Sequence, residues 1–132
     1  MIRQELAGVM VKRKRDFNAT CEILHDYESY LKHKRLWANR KYLLKYRHFR
    51  VALTQRQIIV LKLVARGFAN SKIAQLLRVN EPAVKLSVHR LIKYFERVLE
   101  EKIDRFMFTV IAQQVDFKGE LIEANSDIHI QG

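Results

Sequence analysis

The stretch Arg78–Leu91, "RVNEPAVKLSVHRL", decides how this chain folds, because it carries the signals that start a helix at one fixed place. Asn80 is a favoured N-cap residue, whose side-chain oxygen accepts from a backbone N–H left free in the first turn. Glu81 sets negative charge against the helix dipole. Pro82, the one proline in the chain, falls within the first turn, where its missing N–H costs little. Val84, Val88, Leu91 and Phe95 then recur at helical spacing and predict a single inward stripe. Lys85, His89 and Lys93 recur on a different face, with Leu86 and Arg90 beside them.

Working upstream, two more helices with their own punctuation come into view. In "LTQRQIIVLKLVARG", Thr54 with Gln57 three residues on forms a capping box, and Ile58, Leu61 and Val64, with Val60 beside them, supply a buried stripe. Gly67 follows, where a helix commonly ends in a left-handed residue. "NSKIAQLL" is read as the next helix, capped by Asn70, with Ile73, Ala74 and Leu77 on one side. Arg78-Val79-Asn80 is the break before the third. Three short helices with a tight turn before the last are the outline of a helix-turn-helix.

Composition is consistent with this outline. The 132 residues favour one compact domain with extensions, and four glycines and one proline argue for helices over a turn-rich β-fold. The single cysteine, Cys21, excludes an internal disulfide and a cysteine-based zinc site; it is expected as a small core residue in a reducing compartment. The formal charge of +11 invites an anionic partner. Its distribution is uneven: 13 Lys/Arg against 5 Asp/Glu in residues 1–52, 9 against 2 in 53–98, and 3 against 7 in 99–132. The basic surplus lies in the first three quarters and the end is acidic. No apolar run approaches the roughly 18 residues of a membrane span. The charge cluster of "MIRQELAGVMVKRKR" follows its apolar part, the wrong order for a secretion signal, and Glu5 and Asp16 count against a mitochondrial presequence. The expected location is the cytoplasm.

The flanks read less sharply. Residues 2–15 form a short predicted helix ending in Lys12-Arg13-Lys14-Arg15, four cations that either grip phosphate or sit in solvent at a helix end. From Thr20, apolar residues recur at Leu24, Tyr27, Tyr30 and Leu31, then change phase at Trp37, Leu43 and Leu44. This predicts one long helix or two abutting ones over roughly 20–48. Its aromatics (Tyr27, Tyr30, Trp37, Tyr42, Tyr46, Phe49) interleave with cations, a pattern of core packing first and of base stacking second. Beyond Phe95, Val98, Leu99 and Ile103 extend the pattern into a fourth helix to about residue 105. "FMFTVIAQQV" and "DFKGELIEA", the second with a turn containing Gly119, then predict a β-hairpin near 106–123, with a continued helix through 115 as the alternative. Residues after Asn125 are expected to fray.

"LTQRQIIVLKLVARGFANSKIAQLLRVNEPAVKLSVHRL" resembles the DNA-binding domain of LuxR/GerE-type bacterial transcription regulators. Leu53, Thr54, Arg56, Val60, Leu61 and Gly67 match the opening of that pattern; Asn70, Ile73, Ala74 and Leu77 match its centre; Ala83-Val84-Lys85 stands for its Thr-Val-Lys element. Gln57, Asn80, Ala83 and Ser87 depart from the usual residues. Arg90 followed by Leu91 is also similar to the helix-turn-helix in region 4 of sigma factors, although 132 residues leave no room for the other sigma regions. The resemblance implies a mainly α fold with a four-helix helix-turn-helix domain over 53–105; the charge and periodicity of the flanks add a basic helical extension over 1–52 and an acidic extension over 106–132. The 52 residues ahead of the motif are too few for the receiver or ligand-binding domains that larger members carry.

The resemblance also implies a mechanism. The third helix, about 81–95, enters the major groove of double-stranded DNA, with Lys85, Leu86 and His89 at base edges. Arg90 and Lys93 hold phosphates, assisted by Thr54, Asn70, Ser71 and Lys72 near helix starts. A homodimer is expected, formed through the fourth helix at Val98, Leu99 and Ile103, with the N-terminal helices or the C-terminal hairpin as other routes. The acidic end either folds back on the basic face or is a solvated tail. No Gly-rich phosphate loop, His-x-x-x-His pair, carboxylate cluster or nucleophile elbow is present, so the chain is not expected to be an enzyme, nor to need a cofactor or metal. The alternative reading is a protein-interaction module that binds RNA polymerase or another regulator, with the helix-turn-helix as scaffold; a third is a single-strand or RNA binder.

Overall fold

The computed structural model describes residues 18–122, without the Trp37 side chain. The expected helix over 2–15, its cation run and the chain after Asn125 lie outside the described residues. Within them the order is α1 (18–32), α2 (Lys34–Trp37), β1 (Lys41–Tyr46), β2 (Phe49–Thr54), α3 (Gln55–Ala65), α4 (Asn70–Leu77), α5 (Glu81–Leu99), α6 (Arg105–Gln114) and β3 (Asp116–Ile122). The fold is mainly helical, with one small antiparallel sheet in the order β2-β1-β3.

Helix α3 lies at the centre. Ile58, Ile59, Val60, Leu61, Leu63 and Val64 are all buried, so its apolar residues are covered on several sides rather than along one stripe. Helices α5 and α6 and strand β2 pack on it, and α4 rests against α5. The capping box forms as expected: the Thr54 hydroxyl accepts from Gln57 N–H at 3.3 Å, and Gln57 Oε1 accepts from Thr54 N–H at 2.9 Å. Gly67 takes φ 85°, the left-handed terminus that its position called for. Asn80 caps α5 by accepting from Ala83 N–H at 2.9 Å, and Val84, Val88, Leu91 and Phe95 are buried. One core runs from Ile23 and Tyr27 through the three central helices to Phe108 and Val115, so residues from all three sequence segments share it. At its middle, Phe95 and Phe108 meet edge to face with centroids 5.5 Å apart.

Of the one long helix or two abutting helices expected over 20–48, two abutting helices form, but they end at Trp37. The chain turns through α2 and then makes a hairpin, with Tyr46 opposite Phe49 and a two-residue turn at Arg47-His48. Leu44, Tyr46, Val51 and Leu53 point inward, an alternation that only a strand can bury on one face. The turn carries no glycine or asparagine; Arg47 itself adopts φ 54°, a conformation that costs a side-chain-bearing residue about 1–2 kcal/mol. On α1, Ile23, Tyr27 and Tyr30 are buried, while Leu31 and Cys21, both expected inside, are exposed. Tyr46 is buried as well, and Tyr42 and Phe49 pack against the core, which is the packing role the aromatics were first given.

The C-terminal hairpin is also corrected. Helix α5 runs on past residue 95 to Leu99 and stops at Glu100, which takes φ 54°. The next helix is capped by Asp104, whose carboxylate accepts from Met107 N–H at 2.8 Å, so the fourth helix is Arg105–Gln114 and not the stretch ending near 105. A single strand follows and pairs with β1, Lys41 opposite Ile122 and Lys45 opposite Asp116, with a bulge between Leu43 and Lys45. Gly119, expected in a turn, sits mid-strand against that bulge: a Cβ there would collide with the Leu44 side chain. "FMFTVIAQQV" thus falls in α6, the continued helix given as the alternative, and the strand in "DFKGELIEA" takes β1 as its partner.

Candidate nucleic-acid interface

The outer face of α5 is built by subtraction. With Val84, Val88, Leu91 and Phe95 turned into the core, Lys85, Leu86, His89, Arg90 and Lys93 are left exposed, Leu86 at 47%. Lys85, His89, Lys93 and Arg97 follow one another at intervals of four and form one row along the helix. The Asn80 cap pins the start of this row. Lys93 is not wholly free, since its Nζ lies 3.3 Å from Glu96. Glu96 in turn accepts from Ile103 N–H at 2.9 Å; that bond first, and Lys93 with it, holds its carboxyl below the ordinary value.

The hairpin stands beside this helix. Tyr94 on α5 accepts from Ala52 N–H with its hydroxyl at 2.8 Å, which ties the outer edge of β2 to the helix. Between them lies an open groove of about 970 Å³ lined by Lys41, Thr54, His89, Arg90, Lys93 and Arg97 among others, with Glu96, Glu100 and Glu101 also in its lining. Four residues singled out in the sequence (Thr54, His89, Arg90 and Lys93) therefore meet around one groove. Lys41 and Arg97 join them there and were missed. Arg97 could have been found from its spacing after Lys93; Lys41 could not, because its place depends on the hairpin.

The remaining assigned residues form a second cluster at the start of α4. Ser71 and Lys72 are exposed, and Asn70 is half-buried. Asn70 is not the cap it was expected to be: Ala69 holds that position without a side-chain bond. Instead, Asn70 Oδ1 accepts from Arg105 Nη1 at 2.6 Å, and Arg105 Nη2 donates to the Phe68 carbonyl at 3.0 Å. Burial lowers the pKa of the Arg105 guanidinium from its ordinary value. Nothing in the spacing of the sequence signalled this pair. The residues expected at a dimer surface are placed otherwise: Ile103 is 6% exposed, and Val98 and Leu99 are half-buried against the protomer's own core. The exposed apolar residues nearby are Phe106, Met107 and Val110 on α6.

Two helices joined by a tight turn, the second presenting a capped and cationic outer face, define a helix-turn-helix of the DNA-binding class. Residues 51–96, a third of the chain, match the family model for bacterial regulatory proteins of the luxR family, in agreement with the LuxR/GerE resemblance of this stretch. That family is one of DNA-binding transcription regulators, and this is the coarse function the domain carries. No curated protein and no solved structure matches the chain. No helix among the described residues is long and apolar enough to cross a membrane, and no group of three or more His, Cys, Asp or Glu among them could hold a metal ion.

Proposed function

We propose that this chain is a sequence-specific regulator of transcription that binds double-stranded DNA as a homodimer, working at the nucleoid in a bacterial cytoplasm. The observation that carries this reading is the exposed row on α5, held at a fixed start by Asn80 and backed by a fully buried face. Such a helix enters the major groove as a rigid body. Lys85 then donates to guanine acceptors, Leu86 makes apolar contact with a thymine methyl, and His89 donates to a purine N7. Arg90 and Lys93, with Ser71, Lys72, Asn70 and Thr54, hold phosphates on either side and set the register. Thr54 serves this only with its hydroxyl hydrogen, since its oxygen already accepts in the cap.

For the dimer, Phe106 at 77% exposure, with Met107 and Val110, is the apolar face that a second copy covers. This takes the place of Val98, Leu99 and Ile103, whose packing within the protomer leaves them little to offer.

A binding selection from random double-stranded DNA at near-physiological salt tests the reading, with Lys85→Glu as control. An enriched motif that the control loses is expected, and two half-sites in it would reflect the dimer. If wild type enriches nothing, the chain instead uses the helix-turn-helix as a scaffold for a protein partner such as RNA polymerase.

A further inference from the structure

Arg105 opens α6, the helix that follows the groove-facing one, yet its guanidinium reaches back to the α3–α4 turn. It donates to Asn70 Oδ1 at 2.6 Å and to the Phe68 carbonyl at 3.0 Å. A further bond from the same helix, Gln113 Nε2 to the Ala65 carbonyl at 3.1 Å, lands just ahead of that turn. The Asp104 cap fixes where α6 begins and so fixes where the guanidinium sits.

The chemistry of the pair is one-directional. A guanidinium has donors and no acceptor, and an asparagine side chain has one oxygen and one NH₂. Bonding to Arg105 therefore commits the Asn70 oxygen inward and turns its NH₂ away from the guanidinium. The residues that follow, Ser71 and Lys72, are exposed. Among the described residues no carboxylate lies within ion-pair distance of Arg105. A half-buried cation with neutral partners leaves positive charge at the start of α4 for an external anion to meet. For holding the turn alone, a neutral donor would do the same work without the desolvation.

We infer that Arg105 is a positioning residue for DNA binding: it orients the Asn70 amide so that the NH₂ donates to a backbone phosphate, and its own charge strengthens that contact. This rests on the DNA-binding reading above and names a residue on a different helix as part of it.

The test is a methylphosphonate scan of the selected DNA site, replacing one phosphate at a time by its neutral analogue and measuring affinity. Wild type is expected to lose about tenfold at the phosphate facing α4, the size of one charge-assisted hydrogen bond. Asn70→Ala and Arg105→Met should each bind less tightly on normal DNA and be indifferent to neutralisation of that same phosphate. Their double variant should be no weaker than either alone, because the two act through one contact. Asn70→Asp keeps an acceptor for Arg105 but has no NH₂; it should melt no lower than wild type while losing the same phosphate. It guards against loss of affinity through misfolding. Retention of the full methylphosphonate pattern by folded Asn70→Asp, or losses that multiply in the double variant, would overturn the inference while DNA binding itself stands. A wild type that selects no DNA would remove both.

Discussion

Replacing Asn80 by alanine removes one hydrogen bond from the end of the helix that faces DNA. Its side chain accepts from Ala83 N–H at 2.9 Å in an exposed setting, and the backbone of Asn80 (φ −77°, ψ 154°) is open to any residue. No strain or cavity follows from the change, so the cost is that of the cap, about 1 kcal/mol. With a urea dependence of about 2 kcal/mol/M, the midpoint should fall by about 0.5 M. The loss is local. Glu81 and Pro82 are exposed and add little packing, whereas Val84 and Val88 keep the rest of α5 seated. Fraying of the first turn must then be reversed on binding DNA, which converts the same 1 kcal/mol into about a fivefold loss of affinity. Asn80→Gly, which costs only a few tenths of a kcal/mol at a cap, is the control and should behave almost as wild type. Amide exchange read residue by residue should show the Ala83 N–H losing protection in the alanine variant. An alanine variant with unchanged midpoint and unchanged protection at Ala83 would refute the reasoning, since it would mean that the side chain does not hold the helix start.

Two further outcomes are expected. Tyr94→Phe keeps the ring against Phe95 but leaves the Ala52 N–H on the edge of β2 without its acceptor, so stability should fall by about 1–2 kcal/mol, with faster amide exchange at Ala52 rather than along α5. Glu96 is held below its ordinary carboxyl value of 4.5 by the Ile103 N–H and by Lys93, so its contribution is present above that value and is lost as pH falls through the lower folded one. Glu96→Gln should therefore make the acid limb of the stability–pH curve shallower below about pH 4.5; an unchanged limb would count against the Ile103 bond.

What could be read from the sequence was whatever neighbouring residues settle among themselves. Thr54 with Gln57, Gly67, and Asn80 with Pro82 act within one helical turn, so their composition alone located the ends of α3 and the start of α5. The stripe Val84–Val88–Leu91–Phe95 follows from helical geometry, and the exposed row Lys85–His89–Lys93 is its complement. This much also sufficed for the family resemblance that the match over residues 51–96 later supported.

Tertiary structure decided the elements whose stability comes from distant partners. "KYLLKYRHFRVALT" has no turn residue to announce a hairpin; it is a strand pair because Leu44, Tyr46, Val51 and Leu53 are buried in the common core, with β2 packed on α3 and α5, and because β3 completes the sheet on its other side. Gly119 reads as a turn glycine until the Leu44 side chain is seen against it. Arg105 reads as one more surface cation, and only the packing of α6 on α3 brings its guanidinium to Asn70. Caps and periodicity are short-range and survive in one dimension. Strand pairing, burial and the orientation of a side-chain amide are set by groups far apart along the chain, so only the folded molecule contains them.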